Sequence, residues 1–386
     1  MYLDSESEEI LGFAPYLDYI PLKRDAALAT NKTDGHQLFY NEIKQVCADI
    51  YIQILCTSPF IKPETIETGI DILLSHPEYD SVVLVKKEKQ YLWDGEQPTY
   101  DKNRIPNSVD LPDTVIETMG LYIIRGECAL KQKMRYGNRV YLLEAQPIEA
   151  IDINSPEDLS LADYVARGIR AQETTHFKTI ASTLNSALLA DILHDEGING
   201  IITGFDTNLS DAKVLARANT IKIRQRHDGE DYKGIYDALK TYKMIGEGEI
   251  IIVENEVPGY AYFGELNANL AIRSGACGAI IGGMTRDTSE VIRLGLPVFS
   301  KGCSCSDIKG KGVMESHNIP IEINTVKIVP GDLVFADRDG IVVIPQKAEH
   351  DILQKAMNAI RKEKAVLEKV VLEIDAYTIY QSEGEF

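Results

Sequence analysis

Short continuous apolar runs alternate along the chain with stretches that are apolar on one side only. Residues 50–55, 82–85 and 121–124 are apolar runs of strand length bounded by turn-forming residues. Between them lie an amphipathic helical pattern at 37–48 and a helix opening at Pro63-Glu64. Strands alternating with helices at this spacing predict a parallel sheet covered on both faces. Ahead of them, Leu3-Asp4 followed by Ser5-Glu6-Ser7-Glu8-Glu9-Ile10 predicts a strand end entering a helix with a Ser cap and an acidic first turn. An irregular Pro-containing segment to about Thr33 follows. A chain starting at a strand end is expected to have lost, or never had, something before it.

Further on, Ser155-Pro156 opens a helix that 160–170 continues, and the polar run 171–179 predicts a linker. Residues 180–193 are helical in pattern, 199–202 and 213–222 extended, and 250–253 a strand entered through Gly246-Glu247-Gly248-Glu249. After Pro345 a helix is predicted over 347–371, with Ile352, Ala356, Ile360, Ala365 and Val366 along one side and solvent on the other.

The densest pattern is 264–287. Leu266, Ala268, Leu270 and Ala271 suit a closely packed helix that stops at Gly275, and 277–281 reads as a short buried strand. Gly282 and Gly283 are expected to end that strand in a turn whose N–H groups approach a ligand, with Arg286 and Asp287 at its mouth. A charged pair at the carboxyl end of a buried strand is where α/β proteins usually build sites. The alternative is a surface ion pair, with Glu265 a solvated helix residue.

Length changes this picture by adding a boundary: 386 residues predict two or three domains. No apolar run approaches the roughly 20 residues that span a bilayer, and nothing at Met1 resembles a signal peptide. A formal net charge of −19 argues against nucleic acid or an anionic membrane as partner, while leaving small anionic substrates open. Cysteines at 47, 56, 128, 277, 303 and 305 lack the spacing of a disulfide framework or a zinc site, which suits a reduced cytoplasm. Cys303 and Cys305 read as ordinary loop thiols, having no second pair of ligands nearby.

An acidic residue, twenty intervening residues and Arg-Asp, here Glu265, Arg286 and Asp287, resembles the signature of the RraA-like family, which includes class II pyruvate aldolases acting on 4-hydroxy-4-methyl-2-oxoglutarate. Pro297-Val298-Phe299, Pro330-Gly331-Asp332-Leu333-Val334 and Asp337-Arg338-Asp339-Gly340-Ile341-Val342-Val343-Ile344-Pro345 follow in that family's order. Asn185-Ser186-Ala187-Leu188 stands where the family usually has Ser-Asp-Ala-Leu. The resemblance covers about 176–370. It implies Asp287 as direct ligand of Mg2+ or Mn2+, and Glu265 as holder of metal-bound water. It also implies Arg286, helped by Gly282 and Gly283, on a substrate carboxylate or enolate oxygen. It further implies a trimer or hexamer in which Glu363 is offered to a neighbour's site, although a plain solvated Glu explains Glu363 equally.

The first half resembles the sugar-acid cytidylyltransferases over about residues 1–170. The residues concerned are Leu3-Asp4-Ser5-Glu6-Ser7-Glu8-Glu9-Ile10, Arg24-Asp25-Ala26-Ala27-Leu28-Ala29-Thr30, Cys56-Thr57-Ser58-Pro59-Phe60, Gly120-Leu121-Tyr122-Ile123-Ile124 and 151–159. That family's phosphate-holding first loop is absent. Its Asp-Ile-Asp reads Asp152-Ile153-Asn154, and Asp152 is expected to cap the helix opening at Ser155-Pro156 rather than bind metal. Weak or no CTP binding is therefore expected.

The expectation is thus an α/β chain: an incomplete doubly wound nucleotidyltransferase-like domain over 1–170, then an RraA-like layered α/β domain over 176–386. The function expected is a metal-dependent aldolase or decarboxylase, a carbon–carbon lyase releasing pyruvate from a 2-oxo acid of 4-hydroxy-2-oxo acid or oxaloacetate type. The alternatives are a non-catalytic RraA-like binding protein and a sugar-acid cytidylyltransferase.

Overall fold

The computed structural model describes residues 1–13 and 19–384, so part of the irregular segment expected before Thr33 lies outside the described residues. The chain divides into two compact units, 1–165 and 166–386. Among the described residues no helix is long and apolar enough to cross a membrane.

In the first unit the apolar runs become a four-stranded sheet, in the order Ile50–Ile54, Thr114–Arg125, Ser81–Glu88, Val140–Glu144. The sheet is mixed rather than parallel: Thr114–Arg125 runs antiparallel to both its neighbours, and only Ser81–Glu88 and Val140–Glu144 are parallel. The reason is the connection. Residues 89–113 contain a two-stranded ribbon (Trp93–Asp94 with Gln97–Pro98) and a 3₁₀ turn instead of a crossover helix, so the chain returns antiparallel. The helix Pro63–Ser75 covers one face, burying Leu73 against Val82, Leu84, Leu121 and Ile123.

Glu149 ties this helix to the far end of the unit. Its buried carboxylate accepts the Lys62 N–H at 3.0 Å, the Thr65 hydroxyl at 2.6 Å and the Gln146 N–H at 3.0 Å. Burial alone would raise this carboxyl's pKa, but the three hydrogen bonds outweigh it and hold it below the usual range. A lowered folded-state pKa stabilises above the unfolded value, and that contribution is lost as pH falls through the folded one. Glu149→Gln is therefore expected to destabilise this unit by about 1–3 kcal/mol at neutral pH, the penalty for unpaired buried donors. The wild type should lose its advantage progressively below pH ~4.3. Denaturant unfolding followed on the single tryptophan, Trp93, which lies in this unit, checks both.

The helix Pro156–Ala181 runs straight through the stretch expected to be a linker. Polarity misleads there. Phe177 and Ala181 are buried in the second unit's core, and Glu173 accepts Nε and Nη2 of Arg217 at 3.0 and 2.6 Å. At its start Ser155, not Asp152, is the cap: its hydroxyl accepts the Asp158 N–H at 3.2 Å while the Asp158 carboxylate accepts the Asn154 N–H. Asp152 instead accepts the Asn154 side-chain amide at 2.7 Å. The helix expected over 180–193 is broken at 182–185, where Asn185 caps a new helix, α1 (Ser186–Asp195), by accepting the Leu188 N–H at 2.7 Å.

The elements of the second unit that follow are strands β1 (Ile201–Ile202), β2 (Asp206–Thr207), β3 (Val214–Gln225), β4 (Ile250–Asn255) and β5 (Ala261–Phe263). Helix α2 (Glu265–Arg273), strand β6 (Gly278–Thr285), helix α3 (Thr288–Leu294) and strand β7 (Val298–Cys303) come next. Then come β8 (Gly312–His317), β9 (Leu333–Ala336), β10 (Ile341–Ile344) and helix α4 (Glu349–Val371), followed by a short helix, Ala376–Glu383. One sheet runs β2-β7-β6-β4-β3-β9-β10-β1, with β5 added to β6 and β8 to β3. Its centre, β3-β4-β6-β7, is parallel. Ile251 and Val253 of β4 face one apolar cluster while Ile250 and Ile252 face another. Burial on both faces is why residues 250–253 of this strand are an uninterrupted apolar run.

Helix α2 ends as its sequence suggests, with Gly275 at φ +93° two residues past Arg273. β6 does not. It continues through Gly282 and Gly283 to Thr285, so the expected ligand-binding turn is absent. A Cβ on Gly282 would sit 2.7 Å from the Val253 carbonyl oxygen, and one on Gly283 would sit 2.6 Å from the Asn255 amide nitrogen. These glycines admit the neighbouring strand and its following loop.

Candidate active site

The site forms where the parallel strands end. β5 lies beside the end of β6, and the Arg286 N–H donates to the Phe263 carbonyl at 2.9 Å. This fixes the residues after β6 against the start of α2.

Asp287 then adopts a left-handed conformation, φ 53° and ψ 36°. Only a few non-glycine residues, Asp among them, visit this region, at a cost of about 1 kcal/mol or more. Asp287 stands at the N-cap of α3 but makes no side-chain cap hydrogen bond. The turn directs its carboxylate to the neighbouring helix, where Oδ2 accepts the Glu265 N–H at 3.3 Å. Gly264 makes room for this: a Cβ there would lie 2.5 Å from the same oxygen.

Arg286 lies between two carboxylates. Its Nε is 3.6 Å from Asp287 Oδ2, and its Nη1 is 2.6 Å from Asp307 Oδ2. Asp307 was not among the sequence candidates. It comes from the loop after β7, and its other oxygen accepts the Lys309 N–H at 2.6 Å.

Glu265, Arg286, Asp287 and Asp307 line one cavity of about 970 Å³, together with Arg273 and Lys309. Three cations thus match three carboxylates, in a chain whose net charge is −19. Such local balance allows an anionic ligand to enter. Tyr236, Leu239 and Leu266 form an apolar wall. Gly282 and Gly283 are not part of the lining, and Glu363 is exposed on α4 away from it. Of the residues singled out in the sequence, the structure therefore brings together Glu265, Arg286 and Asp287 and leaves Gly282, Gly283 and Glu363 outside.

Among the described residues no group of three His, Cys, Asp or Glu side chains gathers to hold a metal ion. The donors present, Asp287 and Glu265 beside open space, suit a hard cation that keeps most of its water, as Mg2+ does with one or two carboxylates.

A parallel-centred α/β sheet with a charged cavity at its strand ends defines the class, and comparison defines the family of this half. Residues 186–343 match the RraA-like family model, described as Aldolase/RraA; the second unit carries an RraA-like domain. Among curated relatives, a putative 4-hydroxy-4-methyl-2-oxoglutarate aldolase of Halalkalibacterium halodurans is 27% identical over 47% of this chain and 80% of its own. Protein DlpA of Legionella pneumophila is 28% identical over 46% of this chain, and the match spans only 28% of DlpA's length. Among solved structures, the chain is similar to a CMP:2-keto-3-deoxy-manno-octonic acid synthetase complexed with CTP, at 16% identity and a TM-score of 0.30, covering 45% of this chain and 80% of that one.

Proposed function

We propose that the second unit is a divalent-cation-dependent carbon–carbon lyase that releases pyruvate from a 2-oxo acid, by aldol cleavage or decarboxylation. The observation that carries this reading is the convergence of Glu265, Arg286 and Asp287 on one cavity, with Asp287 held in a left-handed turn that denies its carboxylate to its own helix. The name of the Halalkalibacterium relative supports the same class.

Mg2+ or Mn2+ would be held by Asp287 directly and by Glu265 through water, and when bound supplies Lewis acidity toward the substrate's carboxylate and keto oxygens. Arg286 binds the anionic end of the substrate. As the C–C bond breaks, its electron pair moves onto the keto group, and the guanidinium's interaction with the developing oxyanion strengthens. The other fragment leaves as CO2 in decarboxylation or, as its hydroxyl loses a proton, as a carbonyl compound in aldol cleavage, and protonation of the methylene carbon then gives pyruvate. The proposal includes assembly into a trimer or hexamer, with Glu363 offered from the exposed side of α4 to a neighbour. It assigns the activity to 176–386 and none to 1–170.

Incubation with oxaloacetate and Mg2+ tests it. Pyruvate should form faster than in a protein-free control containing the same Mg2+, and EDTA should stop it. Absence of pyruvate from both oxaloacetate and a 4-hydroxy-2-oxo acid would overturn the lyase and leave a binding protein.

A further inference from the structure

Arg286 carries the only cationic side chain within ion-pair distance of Asp287 among the described residues, and it stands 3.6 Å away, beyond an N–H···O hydrogen bond. Left alone, a guanidinium next to a carboxylate closes into direct contact. Here the side chain is drawn the other way, because Asp307 Oδ2 takes Nη1 at 2.6 Å.

Asp307 is built to hold that position. Its second oxygen is engaged by the Lys309 N–H at 2.6 Å, so the carboxylate is fixed at both ends. Its backbone is clamped to β5 on either side: the Ala261 N–H donates to the Ser306 carbonyl at 2.8 Å, and the Ile308 N–H donates to the Ala261 carbonyl at 3.1 Å. β5 also receives the Arg286 N–H. Both partners of the ion pair are thus anchored to the same three-residue strand. Its shortest contact with Asp307 is through Nη1, while Nε, which shares an edge of the guanidinium with Nη2, is the nitrogen nearest Asp287.

We infer that Asp307 is a positioning residue that holds Arg286 off Asp287, keeping the Asp287 carboxylate open to a divalent cation and the Nε/Nη2 edge open to a substrate carboxylate. The inference rests on the reading of Asp287 as the cation's ligand. Without Asp307 the guanidinium closes onto Asp287 and competes with the cation for the same oxygens.

Titration of the full chain with Mn2+ alone, followed calorimetrically, tests this without turnover. Asp307→Asn keeps the acceptor for the Lys309 N–H, so the loop is retained, and unchanged thermal unfolding checks that. In the wild-type background it should weaken Mn2+ binding about tenfold, and in an Arg286→Ala background by less than about threefold, a coupling of the size found for contacting charges. A purely Coulombic role for the lost charge would give the same factor in both backgrounds, and that result overturns the inference while leaving Asp287 as ligand. Mn2+ binding that is absent from the wild type, or unaffected by Asp287→Ala, overturns the reading of Asp287 and the role of Asp307 with it.

Discussion

Replacing Asp287 with alanine is expected to abolish pyruvate release and divalent-cation binding together. Asp287 presents the carboxylate that the backbone turns toward the cavity; the other carboxylates lining it, Glu265 and Asp307, come from other elements and are engaged in other roles. Excess Mg2+ should therefore restore little activity, since a cation bound through water alone gains little over bulk solvent. Alanine also tolerates the left-handed backbone poorly, at about 1 kcal/mol or more. Asp287→Asn separates the two effects, because Asn accepts this conformation and preserves shape while losing the charge. It should fold like the wild type and be as inactive as Asp287→Ala. Calorimetry with Mn2+ and the oxaloacetate assay on both variants check this. Retention of rate in Asp287→Asn would remove Asp287 from the cation's coordination.

Arg286→Ala should show the second large effect, with the opposite split. A charge-assisted donor whose interaction strengthens as the oxyanion develops typically contributes 10²–10³ in turnover, so kcat should fall by about that factor. Cation binding should survive or tighten, because the alanine variant no longer places a positive charge 3.6 Å from Asp287 Oδ2. Arg286→Lys should rescue poorly: an ammonium cannot contact Asp307 and present a planar edge to the substrate at once. Steady-state oxaloacetate decarboxylation on the two variants, with Mn2+ affinity measured in parallel, tests the ordering. A near wild-type kcat in Arg286→Ala would mean that the chemistry lies elsewhere.

The parts of the fold read most accurately from sequence are those in which one local cause dominates. The apolar run of β4 marks a strand buried on both faces, and Gly275 marks a helix end because only a positive φ continues the chain there. Arg286 and Asp287 were expected from their place at the end of a buried strand and Glu265 from its spacing in the family resemblance; in the structure all three line one cavity. Asp307 was not expected, because its contact with Arg286 depends on where the loop after β7 docks on β5, and no periodicity encodes that docking. Gly282 and Gly283 were misread for a related reason: a missing side chain signals close approach without saying whether a ligand or a neighbouring strand approaches. Polarity over 171–179 concealed a helix whose hold on the core is Phe177, Ala181 and the Glu173–Arg217 pair.

The three residues of β5 have a consequence for altering this protein. Arg286 hangs from Phe263, Asp307 is pinned on both sides of Ala261, and the chain passes directly from Phe263 through Gly264 to Glu265. The polar apparatus is therefore a cassette with its own mounting; of the apolar wall, Tyr236 and Leu239 are carried by another segment of chain, and Leu266 follows Glu265 on α2. A library that varies the wall and leaves 261–265 untouched can change what the cavity admits while the spacing of its charged groups stays constant.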